Sequence, residues 1–236
     1  MDKILALIPA RAGSKRVSNK NTRPFGGSNL TEIAIKQALG IPQISSVALT
    51  SDSEDLLKMF QGVSGLECIK RPAEISDDKA PAIAYVRHAL TLLEHKLSID
   101  YDYVMILQPT SPLRLNEDIV GTIQLMQKHP EADSAVSVMR VDHINNPIKM
   151  KVLKGDELIP FLEPEKGRLA ADQLQVLYVR NGAVYLTRRN KIDTFIDVMG
   201  NTSVGYPMPA ERSIDINEII DFEIAEYLFN NNEAHR

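Results

Sequence analysis

The chain has 236 residues, a net charge of −4 and an isoelectric point near 5.8. This length suits one α/β domain with a substantial core, so we expect a single domain over residues 1–236. A mildly acidic chain lacks the broad cationic face that non-specific nucleic-acid binding needs. No apolar run is long enough to cross a bilayer, and the single Cys68 cannot form an internal disulfide, so we expect a cytoplasmic protein with no membrane partner.

Short β-type runs alternate with helical patterns up to Val141. We predict strands at residues 3–9, 46–50, 66–70, 103–107 and 134–138, and helices at residues 30–39, 54–60, 80–96 and 117–128. This alternation is typical of an α/β fold with a doubly wound, mostly parallel, Rossmann-like sheet. Ligands of such folds bind beyond the carboxyl ends of the strands, so we expect the functional site there.

The pattern changes after Val141. Residues 148–153 alternate like an exposed strand, residues 154–168 are rich in Pro, Gly and charge, and residues 183–187 form another short strand pattern. We therefore predict a small inserted arm at about residues 142–205, which either packs on a partner chain or covers the active site. A final helix is predicted at residues 219–229.

The loop at residues 8–21 reads I-P-A-R-A-G-S-K-R-V-S-N-K-N and follows the first apolar run. Gly13 and Ser14 allow the backbone to approach a phosphate, and Arg11 and Lys15 are spaced to reach one triphosphate. A solvated run of charges is the alternative, but the position at a strand end favours phosphate binding. Neither G-x-x-x-x-G-K-[ST] nor G-x-G-x-x-G occurs, which weakens an ATPase, GTPase or dinucleotide interpretation.

A polar, proline-stiffened segment, L-Q-P-T-S-P-L-R, begins at Leu107 where a strand should end. Gln108, Thr110, Ser111 and Arg114 supply hydrogen-bond donors without a carboxylate, which suits an uncharged or anionic sugar. The alternative is a proline-terminated strand that runs into a capped helix.

Two further segments each have a functional and a structural interpretation. In the functional interpretation, Arg71, which directly follows the predicted strand at residues 66–70, contacts a nucleobase. In the structural interpretation, the R-P-A-E-I-S-D-D segment is only a helix entry, with Ser76 or Asp77 as its N-cap. Asp215 and Asn217 in S-I-D-I-N-E point the same way in an extended segment and could bind one Mg²⁺, or Asn217 is a plain helix cap.

Five motifs of this chain resemble, in their order, those of the acylneuraminate cytidylyltransferases. They are I-P-A-R-A-G-S-K at Ile8, R-P-A-E, L-Q-P-T-S-P-L-R, N-G-A-V-Y and S-I-D-I-N. The resemblance implies a nucleotidyltransferase fold, Mg²⁺ as cofactor, CTP and a nine-carbon 2-keto sugar acid as substrates, and a homodimer formed by the arm. The same resemblance implies that the catalytic residues are Arg11, Lys15 and Asp215, and that the metal ligands are Asp215 and Asn217. It implies nucleotide binding by Arg11, Gly13, Ser14, Lys15, Lys20, Asn21 and Arg71. It implies sugar binding by Gln108, Thr110, Ser111, Lys149, Arg168, Asn181 and Tyr185.

The chain departs from the family pattern on the sugar side. Asn217 stands where the family has the second aspartate of a D-x-D pair, and residues 170–175 replace an R-x-D-L-P run, so that Arg168 is the nearest substitute for its arginine. We expect N-acetylneuraminate or legionaminate as the acid, with pseudaminate and Kdo behind them. A non-catalytic nucleotide-binding protein on the same fold is the remaining alternative.

Overall fold

A computed structural model describes residues 2–13, 16–77, 79–162 and 174–232. The strands are β1 (Ile4–Pro9), β2 (Pro24–Phe25), β3 (Ser28–Asn29), β4 (Ile44–Ser51), β5 (Leu66–Lys70), β6 (Tyr103–Leu107), β7 (Ser134–Arg140), β8 (Lys151–Lys154), β9 (Glu157–Pro160), β10 (Tyr178–Arg188) and β11 (Ser203–Met208). The α-helices are α1 (Leu30–Leu39), α2 (Glu54–Phe60), α3 (Ala82–Leu97), α4 (Asn116–Lys128), α5 (Arg189–Ile192) and α6 (Ile219–Asn231).

Seven strands form the central sheet in the order β11-β7-β10-β6-β1-β4-β5. β5, β4, β1 and β6 run parallel, β10 is antiparallel to both of its neighbours, and β11 is parallel to β7. The predicted mostly parallel α/β sheet is therefore confirmed.

Both faces of the sheet are covered, as the unbroken apolar run of β1 requires. Ile4, Ala6 and Ile8 pack with side chains of α1, α2 and α4, whereas Leu5 and Leu7 pack with side chains of α3. Successive side chains of a strand point to opposite faces, so β1 contributes to both layers of the core and lies at its centre.

Local capping sets the start of two helices where the sequence pattern placed them. The Asn29 side chain accepts a hydrogen bond from the backbone N–H of Glu32 (2.9 Å), and Ser53 does the same from Leu56 (3.1 Å). The prediction of Ser76 or Asp77 as the N-cap of α3 was wrong, because that helix begins after Pro81.

The prediction that residues 142–205 form an inserted arm needs a correction. It contains β10, which lies between β6 and β7 near the middle of the sheet, and the first residues of β11. Residues 185–187 of β10 cannot belong to a separate arm, because they pair with both β6 and β7. Among the described residues of this range, β8 and β9 form a separate two-stranded hairpin that is not part of the central sheet.

The β8–β9 hairpin carries apolar side chains in solvent. Leu153 and Leu158 are cross-strand partners, and each is 66% exposed. Further exposed apolar residues on the hairpin or beside it in sequence are Met150, Val152, Phe161 and Leu162. A patch of this kind is typical of a surface that another protein covers.

In the part of the chain that the structure describes, no helix combines the length and apolar character needed to cross a membrane.

Candidate functional site

A cavity of about 310 Å³ opens beyond the carboxyl ends of β1 and β6, where the α/β pattern predicts a ligand site. It joins residues from motifs that are far apart in sequence. The predicted site residues that line it are Arg11, Lys20, Asn21, Arg71, Gln108, Thr110, Asp215 and Asn217. Ser14, Lys15 and Arg168 lie outside the described residues.

The cationic loop is anchored to the sheet by side chains at its base. Asp52, which follows β4, accepts a hydrogen bond from the backbone N–H of Ala12 (2.8 Å). The side-chain amide of Asn21 donates to the backbone carbonyl of Arg11 (3.0 Å), and the backbone carbonyl of Asn21 accepts from the hydroxyl of Thr31 (2.9 Å). Asn21 is itself buried, so it holds the shape of the loop as well as lining the cavity.

Lys20 connects the cationic loop to the S-I-D-I-N segment. Its ammonium donates to the carbonyl of Ile216 (2.6 Å). Burial lowers the pKa of Lys20, and Arg16 and Arg11 lower it further, while the Asp215 carboxylate opposes the shift. A half-buried lysine beside other cations gains most from an added anion, which fits a polyphosphate ligand.

Arg71 is held rigidly at the other side of the cavity. Its guanidinium donates to the Thr50 carbonyl (2.9 Å) and lies 4.5 Å from the ring centre of Tyr85. Only 5% of Arg71 is exposed, and burial lowers the pKa of its guanidinium. The same burial raises the pKa of the Tyr85 hydroxyl. One face of Arg71 is covered by the ring, so only a fixed part of the side chain meets a ligand.

The prediction that Arg114 supplies a hydrogen-bond donor to a sugar was wrong, because its side chain is fully buried and does not line the cavity. It donates to the carbonyls of Ala183 (2.6 Å) and Gln108 (3.3 Å), and to the Gln37 amide oxygen (2.9 Å). Burial lowers the pKa of Arg114 to about 10, so the side chain remains charged at neutral pH. Arg114 therefore supports the backbone on which Gln108 is presented.

The other three residues of this predicted sugar-binding segment, Gln108, Thr110 and Ser111, differ in whether they reach the cavity. Gln108 and Thr110 line the cavity, and the Thr110 hydroxyl donates to the Gln108 amide oxygen (3.3 Å). Ser111 is fully buried, and its hydroxyl has no hydrogen-bond partner among the described residues. A Cβ on Gly182 would lie 3.7 Å from atoms of Gln108, Ser111 and Asp215, so the glycine leaves open space between these three side chains.

Asp215 and Asn217 both line the cavity and are bonded to each other. The Asn217 amide nitrogen donates to the Asp215 carboxylate (2.9 Å), and its amide oxygen accepts from Arg16 (3.0 Å). The helix-cap interpretation of Asn217 was wrong. The first residue before α6 is Glu218, and the Asp221 carboxylate accepts from the backbone N–H groups of both Asn217 and Glu218.

Four further predicted site residues are not part of the cavity wall: Gly13, Lys149, Asn181 and Tyr185. Asn181 is buried, where its amide accepts from the Ser137 hydroxyl (2.6 Å) and donates to that of Ser213 (2.9 Å). Both ends of the amide are engaged inside the protein, so Asn181 positions the S-I-D-I-N segment instead of facing the cavity.

Tyr185 lies on β10, where it pairs with Ile106 of β6. Its side chain is partly buried, and burial raises the pKa of the hydroxyl. Lys149 is in a short 3-10 turn, Pro147–Lys149, on the way to the β8–β9 hairpin. Their assignment to sugar binding remains a prediction.

Apart from Pro9 and Pro109, five cavity residues were not among the predicted site residues: Arg16, Ile75, Asp77, Ala80 and Tyr85. Arg16 belongs to the cationic loop, so its charge was a usable signal. The other four follow β5 or lie on α3, and their types are ordinary for a turn and a buried helix face. Only the folded arrangement brings them to the cavity.

The fold and the cavity together define an α/β protein with a cation-lined cavity at the ends of parallel strands. Among the described residues, Arg11, Arg16, Lys20 and Arg71 are the cations that line the cavity, and the Asp215 carboxylate interacts with Lys20. This combination suits a ligand with several phosphates and points to the nucleotidyltransferase class.

The chain belongs to the cytidylyltransferase family, whose model matches residues 5–235. It is 31% identical over 224 residues to the N-acylneuraminate cytidylyltransferase of Escherichia coli O18:K1:H7, covering 94% of this chain and 51% of that protein. It therefore spans about half the length of this relative. It is 30% identical to the pseudaminic acid cytidylyltransferase of Campylobacter jejuni, over 96% of each chain.

A third relative is the CMP-N,N′-diacetyllegionaminic acid synthase of Legionella pneumophila, which is 26% identical over 98% of each chain. Among solved structures, a CMP-2-keto-3-deoxy-manno-octonic acid synthetase in complex with CTP is similar, with a TM-score of 0.70 and 17% identity. That match covers 96% of this chain and 98% of the synthetase. At this identity, the likeness supports the fold alone.

Proposed function

We propose that the protein transfers CMP from CTP to a nine-carbon 2-keto sugar acid and releases pyrophosphate. The observation that carries this proposal is the cavity in which the cations Arg11, Arg16, Lys20 and Arg71 of the described residues meet Gln108, Thr110 and Asp215. The names of the relatives support the same reaction class.

In the proposed reaction, the anomeric hydroxyl of the acid attacks the α-phosphorus of CTP. A new P–O bond forms, the bond from the α-phosphorus to the bridging oxygen breaks, pyrophosphate leaves, and the hydroxyl proton passes to solvent. Arg11, Arg16 and Lys20 hold the triphosphate and stabilise the charge that develops on the leaving group. Gln108 and Thr110 orient the acid, so that positioning supplies much of the rate.

Mg²⁺ is part of this proposal, and the residues present fit it in a limited way. Mg²⁺ in such sites takes one or two carboxylates and completes its shell with phosphates and water. Asp215 supplies one carboxylate, and the residues that the structure describes include no cluster of three or more His, Cys, Asp or Glu side chains. When bound, Mg²⁺ would neutralise phosphate charge. Asn217 orients Asp215 through its amide and would serve as a second ligand only if Arg16 released its oxygen.

A substrate panel tests the proposal directly. The protein is incubated with CTP and Mg²⁺ and with N-acetylneuraminate, legionaminate, pseudaminate or Kdo, and pyrophosphate release is measured. We expect turnover with one of the first three acids and little with Kdo. Clear CTP binding without turnover of any acid would contradict the proposal and indicate a nucleotide-binding protein on the same fold.

We also propose a homodimer formed through the β8–β9 hairpin, in a reducing compartment such as the cytoplasm, which suits the free Cys68. The exposed Leu153 and Leu158 side chains support this interface. Light scattering after gel filtration should show a dimer that Leu153→Glu converts to a monomer. Lys151→Glu is the control on the same hairpin. A monomeric wild-type protein would contradict the dimer.

A further inference from the structure

The segment that follows β5 forms a distinct wall of the cavity. Ile75, Asp77 and Ala80 come from this segment, and Tyr85 comes from the first turn of α3. Three of these four side chains present carbon surface, whereas the loop cations and Asp215 come from other parts of the chain. A nucleobase needs an apolar surface for its ring and a few polar groups at its edge, and this wall offers both.

Asp77 is held in place by its own turn. One carboxylate oxygen, Oδ1, accepts hydrogen bonds from the backbone N–H groups of Lys79 (2.9 Å) and Ala80 (2.6 Å). The hydrogen bonds given for this carboxylate in the described residues both fall on Oδ1, and Asp77 is an exposed residue on the cavity wall, so Oδ2 is accessible to a ligand. The turn fixes the direction of the side chain without help from a ligand.

The edges of cytosine and uracil differ at the position that a carboxylate reads. Cytosine presents an amino group, which donates, where uracil presents a carbonyl oxygen, which accepts. A carboxylate accepts a hydrogen bond from the amino group and repels the carbonyl oxygen. Arg71 on the same side donates only, and both bases offer it an acceptor, so Arg71 cannot separate them.

We propose that Asp77 is the residue that selects CTP over UTP, by accepting a hydrogen bond from the cytosine amino group at Oδ2. The inference rests on the proposed use of CTP. A carboxylate facing the triphosphate would weaken binding, so a position at the base end of the ligand is the one that its charge allows.

Asp77→Asn is the decisive variant, because it keeps the size and shape of the side chain while it removes the charge and one acceptor oxygen. The asparagine oxygen can still accept from Lys79 and Ala80, which preserves the turn, while its amide nitrogen donates where Oδ2 accepted. We expect the ratio of kcat/KM for CTP to that for UTP to fall about 10- to 100-fold, as the loss of a hydrogen bond to a charged group implies. The thermal midpoint should stay close to that of the wild type.

Glu74→Gln is the matched control, since it makes the same carboxylate-to-amide change on an exposed residue outside the cavity wall. An unchanged CTP-to-UTP ratio in Asp77→Asn would overturn the proposal. An equal loss with both nucleotides would also overturn it, because that result means that Asp77 only shapes the turn.

Failure of the proposed reaction is separable from failure of this inference. If the wild type releases no pyrophosphate with any acid, the reaction fails, and calorimetric titration with CTP and UTP still measures selectivity. A wild type that binds both nucleotides equally would then reject the role of Asp77.

Discussion

Replacement of Asn217 by aspartate tests how the cavity handles a divalent cation. The amide nitrogen of Asn217 lies 2.9 Å from the Asp215 carboxylate, and its oxygen lies 3.0 Å from Arg16. Asn217→Asp puts a second carboxylate against the first and strengthens the pair with Arg16. At an effective dielectric constant of about 20, each of these two interactions has an upper bound of about 6 kcal/mol, and they have opposite signs.

The two contributions largely cancel in the free protein, so we expect its unfolding free energy to change by less than about 1 kcal/mol. A divalent cation is attracted to both carboxylates, and the balance then shifts toward binding. If the attraction of the cation to the new carboxylate contributes about a quarter of one 6 kcal/mol interaction to binding, the Mg²⁺ concentration for half-maximal rate falls about tenfold.

The assay is the initial rate of pyrophosphate release at saturating CTP and sugar acid, with Mg²⁺ varied. Asn116→Asp is the control, because it adds the same charge at an exposed position at the start of α4. Asn217→Ala removes the bonds to both Asp215 and Arg16 and should raise the Mg²⁺ requirement. The reasoning is refuted if Asn217→Asp and the wild type have the same Mg²⁺ dependence.

Three further predictions concern the two sides of the cavity. Lys15→Ala should lower kcat/KM about 100-fold without loss of thermal stability, since it removes transition-state charge stabilisation; a near-normal rate would contradict the phosphate role. Because burial lowers the pKa of Lys20, activity should fall as the pH rises through that lowered pKa. Lys20→Arg should move the alkaline limb of the pH–rate profile to higher pH, since the guanidinium stays charged. If the alkaline limb does not move, a group other than Lys20 causes it. Gly182→Ala should lower the free energy of unfolding, measured in urea, by about 1–2 kcal/mol, because φ at this position is +78°. It should also weaken binding of the sugar acid, because the added methyl group fills the space beside Ser111. Unchanged stability and an unchanged KM would argue against both effects.

Local sequence patterns predicted much of the secondary structure closely. The strands at residues 66–70 and 103–107 and the helices at residues 30–39 and 54–60 have the observed bounds. Asn29 and Ser53 explain this agreement for the helices, because a capping side chain acts on a backbone only three residues away. Such signals do not depend on the rest of the fold.

β10 shows where the local pattern failed. Its pairing with β7 shifts register between Arg180 and Tyr185, a stretch that contains Asn181 and Gly182. In the sequence, this N-G pair is a turn signal that makes one long strand resemble a short strand after a loop. The pairing with β6 and β7 joins segments that are distant in the chain, and no local pattern specifies it.

Arg114 and Asp77 show the same limit at the level of side chains. Both occur in polar, proline-containing motifs that suggest a surface role, yet Arg114 is fully buried and Asp77 lies on the cavity wall. Residue type sets which hydrogen bonds a side chain can make, but its depth depends on what packs over it.

The sequence by itself determined the α/β class, the principal strands and helices, and the presence of a cationic loop after the first strand, because these follow from periodicity, capping and charge within short segments. The tertiary structure alone decided the order of the strands and the position of β10. It also decided which polar residues share one cavity and which, like Asn181 and Arg114, support it from below. Those features depend on long-range pairing and burial, which arise only when distant segments pack together.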